Sequence, residues 1–339
     1  MMLGPPCLVL NANDIDTRGH PCLYSALMLA ATLPLSPPCP DPSTRAPLAS
    51  MGGRPPHSRL QLAPPALQGA VVGILSRDTS GFALTDAQRL THFPASPLVC
   101  LSWFQGVDAG RVECAPRGTL WHRFDAALML SGSHSQPSVC WERNEGRSGM
   151  ICFEAGVARA LFGIDLAVIQ DRILPAEPLL GAAWHPLLDA LLTAGSDTQS
   201  LAVLEQHLSA PWRAIQRGGT KLSPLREAGR YWVERLAWQV REWRRTHSPR
   251  QVERRIKAYS GRSLREWQSL VRTEGLFFTA RERYDAGQPL DWAEIAYDEG
   301  FADQAHLSRA VKRATGFSPS EFTQRFIEDE SFWAYRLWV

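Results

Sequence analysis

The stretch that most constrains this chain is Ile295 to Phe322, IAYDEGFADQAHLSRAVKRATGFSPSEF. Asp291 and Glu294 have the spacing of a capping box, which opens a helix at Ile295 and Ala296. Gly300 falls where the chain must reverse, and glycine accepts a positive φ there. Phe301 is an apolar plug after the turn, and Asp303 is the expected N-cap of the next helix. In that helix Leu307, Ala310 and Val311 share one face at i, i+3, i+4, while Gln304, Ala305, Ser308, Arg309 and Lys312 lie elsewhere on its surface. Ser318, Pro319 and Glu321 spell a further helix start, with proline at the first helical position. Two short helices around a tight turn, the second polar and basic outside, make a helix-turn-helix suited to a DNA major groove.

The motif occurs twice. Shifted by 55 residues, Ser248 to Trp267 (SPRQVERRIKAYSGRSLREW) lies over Asp303 to Phe322. Arg254 meets Arg309, Lys257 meets Lys312, Gly261 meets Gly316, Ser263 meets Ser318 and Glu266 meets Glu321. Val252, Ile256 and Trp267 fall on Leu307, Val311 and Phe322. Matched caps, glycines and core positions read as a duplicated unit. A connecting helix of about 20 residues can hold two recognition helices about one DNA turn apart, ~34 Å. In the first copy Arg241 stands where the second has Ala296, and Arg245 where it has Gly300. The first turn must therefore be built differently.

From Leu222 to Phe326 the sequence resembles the AraC/XylS transcriptional regulators, most specifically through GFADQAHLSRAVKRATGFSP. The resemblance implies an all-α DNA-binding domain of two helix-turn-helix units joined by a long helix. It implies base-contact roles for Gln304, Ala305 and Arg309, and for Arg250, Glu253 and Arg254 in the first unit. It also implies homodimerisation, and a cupin-like or other β-rich sensor upstream. Independently of it, Arg309 can pair two-pronged with guanine, Gln304 can read adenine, and His306 and Ser308 can touch base edges or phosphate. Lys312 and Lys257 suit phosphates, which fix register without specifying sequence. The plain alternative for Arg309 and Arg254 is a salt bridge along the helix surface.

Composition agrees. The net charge is +2, yet Arg241 to Arg283 holds twelve Arg/Lys against five Asp/Glu, a local excess that attracts phosphates. Seven cysteines without close pairs suit a reducing compartment, so a cytoplasmic location is expected. No CxxC, HExxH, Gly-rich phosphate loop or distinctive Ser/His/Asp frame occurs, so no metal, cofactor or enzymatic activity is expected.

With 339 residues there is room for about two domains, and the fold class expected is α+β. Residues 1–62 are proline-rich, with Pro-Pro at 5, 37 and 55 and again just beyond at 64, and are expected to be disordered. Whether residues 1–60 belong to the native protein stays open. Leu23 to Leu35 is too short to span a bilayer, so no membrane is implied. Residues 63–215 should form a β-rich sensor with C-terminal helices. Strands are expected at Val71–Ser76, Leu98–Phe104, Ala126–Leu130, Val139–Trp141 and Met150–Phe153. Helices are expected at Gly156–Phe162, Leu166–Ile169, Trp184–Leu192, Asp197–Leu208 and Leu225–Trp243, with Pro175, Pro178 and Pro211 as punctuation and Gly218-Gly219 as a hinge. Residues 222–326 are the double helix-turn-helix, and 327–339 an acidic-aromatic tail able to dock on the domain or on a partner.

His92, His122 and His134, the aromatics Trp103, Phe104, Trp121 and Trp141, and Cys100, Cys114, Cys140 and Cys152 are candidate pocket or sensor residues. Core filling is the plainer reading for most of them. The function expected is sequence-specific binding of double-stranded DNA, modulated by a small-molecule effector at the N-terminal domain, with RNA polymerase as a further candidate partner. Two other classes stay open: a DNA-alkylation repair or sensor enzyme carrying the same module, and a protein-interaction module whose DNA binding has decayed.

Overall fold

The computed structural model describes residues 39–116, 118–216 and 228–338. The Gly218-Gly219 hinge and most of the proline-rich segment lie outside the described residues. From Cys39 onward the chain forms one compact unit.

Ten strands build two antiparallel sheets: β1 (His57–Gln61), β2 (Val71–Asp78), β3 (Leu90–Phe93), β4 (Val99–Gln105), β5 (Ala109–Ala115), β6 (Gly118–Arg123), β7 (Leu128–Ser131), β8 (Ser138–Glu142), β9 (Arg147–Phe153) and β10 (Ile173–Pro175). Their orders are β1-β2-β9-β4-β7-β10 and β3-β8-β5-β6. Strands β2 to β9 thus form a double-sheet jelly roll, the architecture shared by cupins. The five expected strands are all present, while β1, β3, β5, β6 and β10 were not foreseen.

The large sheet is buried on both faces, and the period-two alternation decides which residue goes where. On β4, Val99, Leu101 and Trp103 join the main hydrophobic core, while Cys100, Ser102 and Phe104 face the interior of the roll. Register carries the split across the sheet: Cys100 sits opposite Cys152 and Ser131, and Ser102 opposite Met150 and Met129.

The outer face is covered by helices α1 (Ala155–Phe162), α2 (Leu166–Ile169), α3 (Glu177–Leu180), α4 (His185–Thr193) and α5 (Asp197–Gln216). Helix α1 ends on Gly163 in the left-handed conformation, and Asp165 caps α2 through Ala167 N. Pro211 does not end α5, which continues to Gln216.

The rest is helical: α6 (Ala228–Arg244), α7 (Pro249–Ser260), α8 (Leu264–Asp285), α9 (Trp292–Asp298), α10 (Gln304–Thr315), α11 (Pro319–Glu328) and α12 (Trp333–Trp338). Trp232, Leu236 and Val240 of α6 are buried together, as their spacing implies. The protein is α+β, a β-rich N-terminal region followed by a helical C-terminal region.

One expectation needs correction and one open alternative is decided. Residues 39–62 are not a free leader: Ala46 and Ala49 are buried, Pro47 bridges Asp329, and β1 extends the large sheet. Their prolines forgo ladder bonds, but Glu330 N donates to Ala46 O and Arg325 bonds the carbonyls of Ser43 and Thr44, so the backbone is satisfied another way. The acidic-aromatic tail takes the first of its two alternatives and docks on the body of the molecule. Glu330 pairs with Arg77 at 2.8 Å, both buried, and Phe332, Trp333 and Tyr335 are buried. Trp333 Nε1 donates to Thr91 Oγ1 at 2.9 Å, and α12 lies against β1, β2 and β3.

Candidate nucleic-acid interface and interior cavity

The twinned motif folds as two copies of one local design. Ser248 and Ser263 each make a complete capping box, with Gln251 and Glu266. Ser318 accepts from Glu321 N, but the Glu321 carboxylate turns to Arg325 and Arg45, so this box is half made. The Asp291–Glu294 box is also half made: Asp291 accepts from Ala293 N and Glu294 N, while the Glu294 side chain binds Arg283 at 2.6 Å. Asp303 caps α10 through His306 N at 2.6 Å. Helices α7 and α10 both end on glycines in the left-handed conformation, Gly261 and Gly316.

The turns differ. Gly300 has φ +69° between α9 and α10. Between α6 and α7 there is no left-handed residue, and Thr246 N and His247 N both donate to Trp243 O. One long helix, α6, therefore replaces the short helix of the second unit.

On α10, Gln304, Ala305, Arg309 and Lys312 are exposed, His306 and Ser308 half-buried, and Leu307, Ala310 and Val311 buried. On α7, Arg250, Glu253, Arg254 and Lys257 are exposed, over buried Val252 and Ile256. Among the described residues no salt bridge engages Arg309, Lys312, Arg250 or Arg254, so the surface-bridge alternative is not realised for Arg309 and Arg254. Lys257, by contrast, holds Glu253 at 3.4 Å. Helix α8 joins the units with 22 residues, about 33 Å of helix at 1.5 Å per residue.

Both recognition helices are held at their C-terminal ends by the jelly roll. Ala95 N donates to Ala314 O at 2.8 Å, at the end of α10. Arg262, just past α7, is buried; its guanidinium donates to Ser133 Oγ at 2.9 Å and Ser133 O at 2.6 Å, and pairs with Asp171 at 2.9 Å. Burial would raise the Asp171 carboxyl, but hydrogen bonds from Arg262 and Ser135 outweigh it and bring it down to about 2. The N-terminal ends of both helices, which in such motifs meet base edges, are left exposed.

Between the sheets lies a cavity of about 140 Å³. Leu75, Phe93, Phe104, Phe124, Met129 and Met150 supply apolar wall, and Trp333, Ala334 and Tyr335 of α12 reach it from the C-terminal region. Of the candidate pocket residues, His134, Phe104, Cys100, Cys140 and Cys152 line it. His92 is buried instead against Phe317 and Phe332, and burial pulls it down to about 3. His122 is exposed and pairs with Glu113. Trp103 belongs to the outer core, and Trp121 and Trp141 pack with Leu90 and Val112 in a separate cluster. Cys114 is exposed. Sequence reasoning missed Ser76, Glu142 and Tyr335 in the wall.

A twinned, basic, groove-sized pair of helices defines a DNA-binding helix-turn-helix domain. Residues 246–325 match a family model described as a helix-turn-helix domain, of the AraC type. No curated protein sequence matches the chain. Among solved structures, the apo form of a single-residue variant of ToxT from Vibrio cholerae strain SCE256 is similar at 12% identity, covering 69% of this chain and 93% of that one, with a TM-score of 0.37. ToxT from Vibrio cholerae O395 gives 11%, 69%, 95% and 0.35. Wild-type ToxT of strain SCE256 bound to unsaturated fatty acid gives 13%, 69%, 93% and 0.34. No helix among the described residues is long and apolar enough to cross a membrane.

Proposed function

We propose that the protein is a sequence-specific, effector-modulated transcription regulator that lays α7 and α10 into successive major grooves. The observation that carries this reading is the orientation of α10: Gln304, Ala305 and Arg309 are outward over a buried Leu307/Val311 face, and among the described residues no salt bridge engages Arg309. Arg309 reads guanine, Gln304 reads adenine, and Lys312 grips phosphate. His306 and Ser308 touch base edges or phosphate at the margin of the contact.

The first unit has a different balance. Arg250 and Arg254 are free to reach DNA, but the Lys257–Glu253 pair offsets one of the four positive charges on that helix. The second unit supplies most of the base discrimination and the first mainly backbone grip. A homodimer would present a second pair of helices and raise the effective concentration of each.

The test is selection of bound duplexes from random DNA by the purified protein at two salt concentrations. Expected is a strongly enriched half-site for α10 and a weaker one about 10 base pairs away, ~34 Å along one face. Affinity should fall steeply with salt. Absence of any enriched sequence at either salt concentration would overturn the reading and favour a module that meets protein rather than DNA.

A further inference from the structure

The interior of the jelly roll is hollow. Its wall explains why a space exists. On three adjacent strands the inward positions form rows of small residues: Cys152, Cys100 and Ser131 in one row, with Ser102 between the flexible Met150 and Met129 in the next. Across from them stand Thr91, Ser138 and Cys140 of the smaller sheet. Small side chains facing one another leave volume that Leu or Val at the same positions would fill.

The space is not simply apolar. Ser76, His134 and Tyr335 line it, and each carries a buried polar atom with no hydrogen-bond partner: Ser76 Oγ, His134 Nε2 and Tyr335 Oη. Ser76 is 6% exposed and Tyr335 1%. Unsatisfied buried polar groups cost free energy and are rare in finished proteins. All three atoms are enclosed as the side chains stand, and a guest toward which Ser76 or His134 turns gains a hydrogen bond that the protein alone does not make.

Charge narrows the class of that guest. No Lys or Arg is among the described lining residues. The ionisable groups there are His134, Glu142, three cysteines and Tyr335. Burial pulls His134 down to about 4, with Asp171 pulling the other way and Arg111 and Arg262 adding to the fall, so the ring is neutral at pH 7. Burial pushes the Glu142 carboxyl up, and the group brings no positive charge to the wall. A carboxylate in this space would have no counter-charge, which is costly at low dielectric. Volume sets the size: an apolar cavity of ~150 Å³ accepts a molecule the size of benzene.

We infer that the jelly-roll cavity binds a small, uncharged, largely apolar molecule of about six to ten heavy atoms, carrying a hydroxyl or carbonyl oxygen that bonds to His134 and Ser76. This deepens the regulator reading and rests on it for its biological purpose, though not for its chemistry.

The same wall is joined to the DNA-binding helices. Ser96 and His134 bridge each other, with Ser96 N donating at 2.9 Å and His134 N at 2.8 Å, and both line the cavity. The adjacent Ala95 holds the end of α10, and the adjacent Ser133 holds Arg262 at the end of α7. A guest bonded to His134 therefore touches a pair of segments that hold the ends of both helices. A guest that prefers one arrangement of these segments biases the spacing of the helices by the same differential affinity.

The test is isothermal titration of the full-length protein with p-cresol and acetophenone, with toluene as an apolar control and benzoate as the charged control of similar size. Expected is saturable binding of p-cresol and acetophenone, with benzoate at least tenfold weaker. Ser102→Phe, which fills the cavity, should abolish binding; should that variant not fold, Ser102→Val should weaken it severalfold with an unchanged circular-dichroism spectrum. His134→Leu should weaken acetophenone at least tenfold and leave toluene within twofold. No saturable binding to folded wild-type protein, binding indifferent to both Ser102 variants, or tighter binding of benzoate would each overturn the inference. DNA affinity of the unliganded protein is measured in the same preparation. Intact DNA binding without probe binding removes the ligand inference alone, whereas probe binding without DNA binding removes the regulator reading alone.

Discussion

Replacing Glu330 by alanine strikes the joint that fastens the C-terminal segment to the jelly roll. Its carboxylate accepts from Arg77 at 2.8 Å and from Ala49 N at 3.0 Å, and Arg336 stands 3.9 Å away. Arg77 and Glu330 have side chains only 2% and 6% exposed, so both charges are out of water. Burial pulls the Arg77 guanidinium below its ordinary range, and Glu330 and Glu142 restore part of it. Removing one partner of a buried pair costs about 3–5 kcal/mol, because the other charge is left uncompensated. Glu142 and the Trp333 ring 4.8 Å from the guanidinium remain, which places Glu330→Ala at about 3 kcal/mol, the lower end of that range. Replacing both partners by apolar residues, Arg77→Met with Glu330→Leu, should recover most of this, since the desolvation cost disappears with the charges. Urea unfolding of the three proteins measures the outcome. A loss under about 1 kcal/mol for Glu330→Ala, or a double variant no better than the single one, would refute the buried joint.

Three further outcomes follow from the packing. Arg262→Ala leaves Ser133 and the buried end of α7 without their partner, and should cost about 3 kcal/mol in chemical unfolding while loosening protection of α7 amides from hydrogen exchange. Gly132→Ala would drive a Cβ into the backbone carbonyl of Ile169, so it should destabilise by about 1–3 kcal/mol in the same assay, whereas Gly81→Ala, where space is open, should cost only what its positive φ demands. Glu274 is buried, and burial alone raises it to about 8. Its folded value lies above its unfolded one, so its protonated form favours the fold. That contribution is complete below about pH 4.5 and lost as pH rises through about 8, at up to about 1.4 kcal/mol per pH unit. Thermal melts from pH 5 to 8.5 should therefore flatten in Glu274→Gln.

The recognition helices were legible because their signals are local. A capping residue, a left-handed glycine and a 3.6-residue apolar period all act within one turn of the chain, and doubling them left little freedom. One difference between the units was missed although it lies in the sequence: Arg262 falls on Phe317 under the 55-residue shift. A polar end on one helix and an aromatic end on the other correspond to Ser133 and Asp171 in one case and to His92 and Phe332 in the other.

Strands β5 and β6 were not legible, because GTLWHR is the edge strand of the small sheet and AGRVECA lies beside it, and much of each strand is exposed. The cavity was partly legible. Period-two parity already puts Phe104 and Trp103 on opposite faces, but only strand register says which face is hollow. Ser76, Ser102 and Cys152 carry no signature of their own; they acquire meaning when β2, β4 and β9 are laid side by side. The tail's role was hidden because its partner Arg77 lies 253 residues away.

The measurement that tests the central claim most directly compares Arg309→Ala with the parent protein on a selected duplex and on one altered at the guanine assigned to Arg309. The account predicts a loss of about 1–3 kcal/mol on the selected duplex and almost none on the altered one, because the bidentate guanine contact is what the variant removes. Equal affinity of the parent and Arg309→Ala proteins for the selected duplex would contradict it.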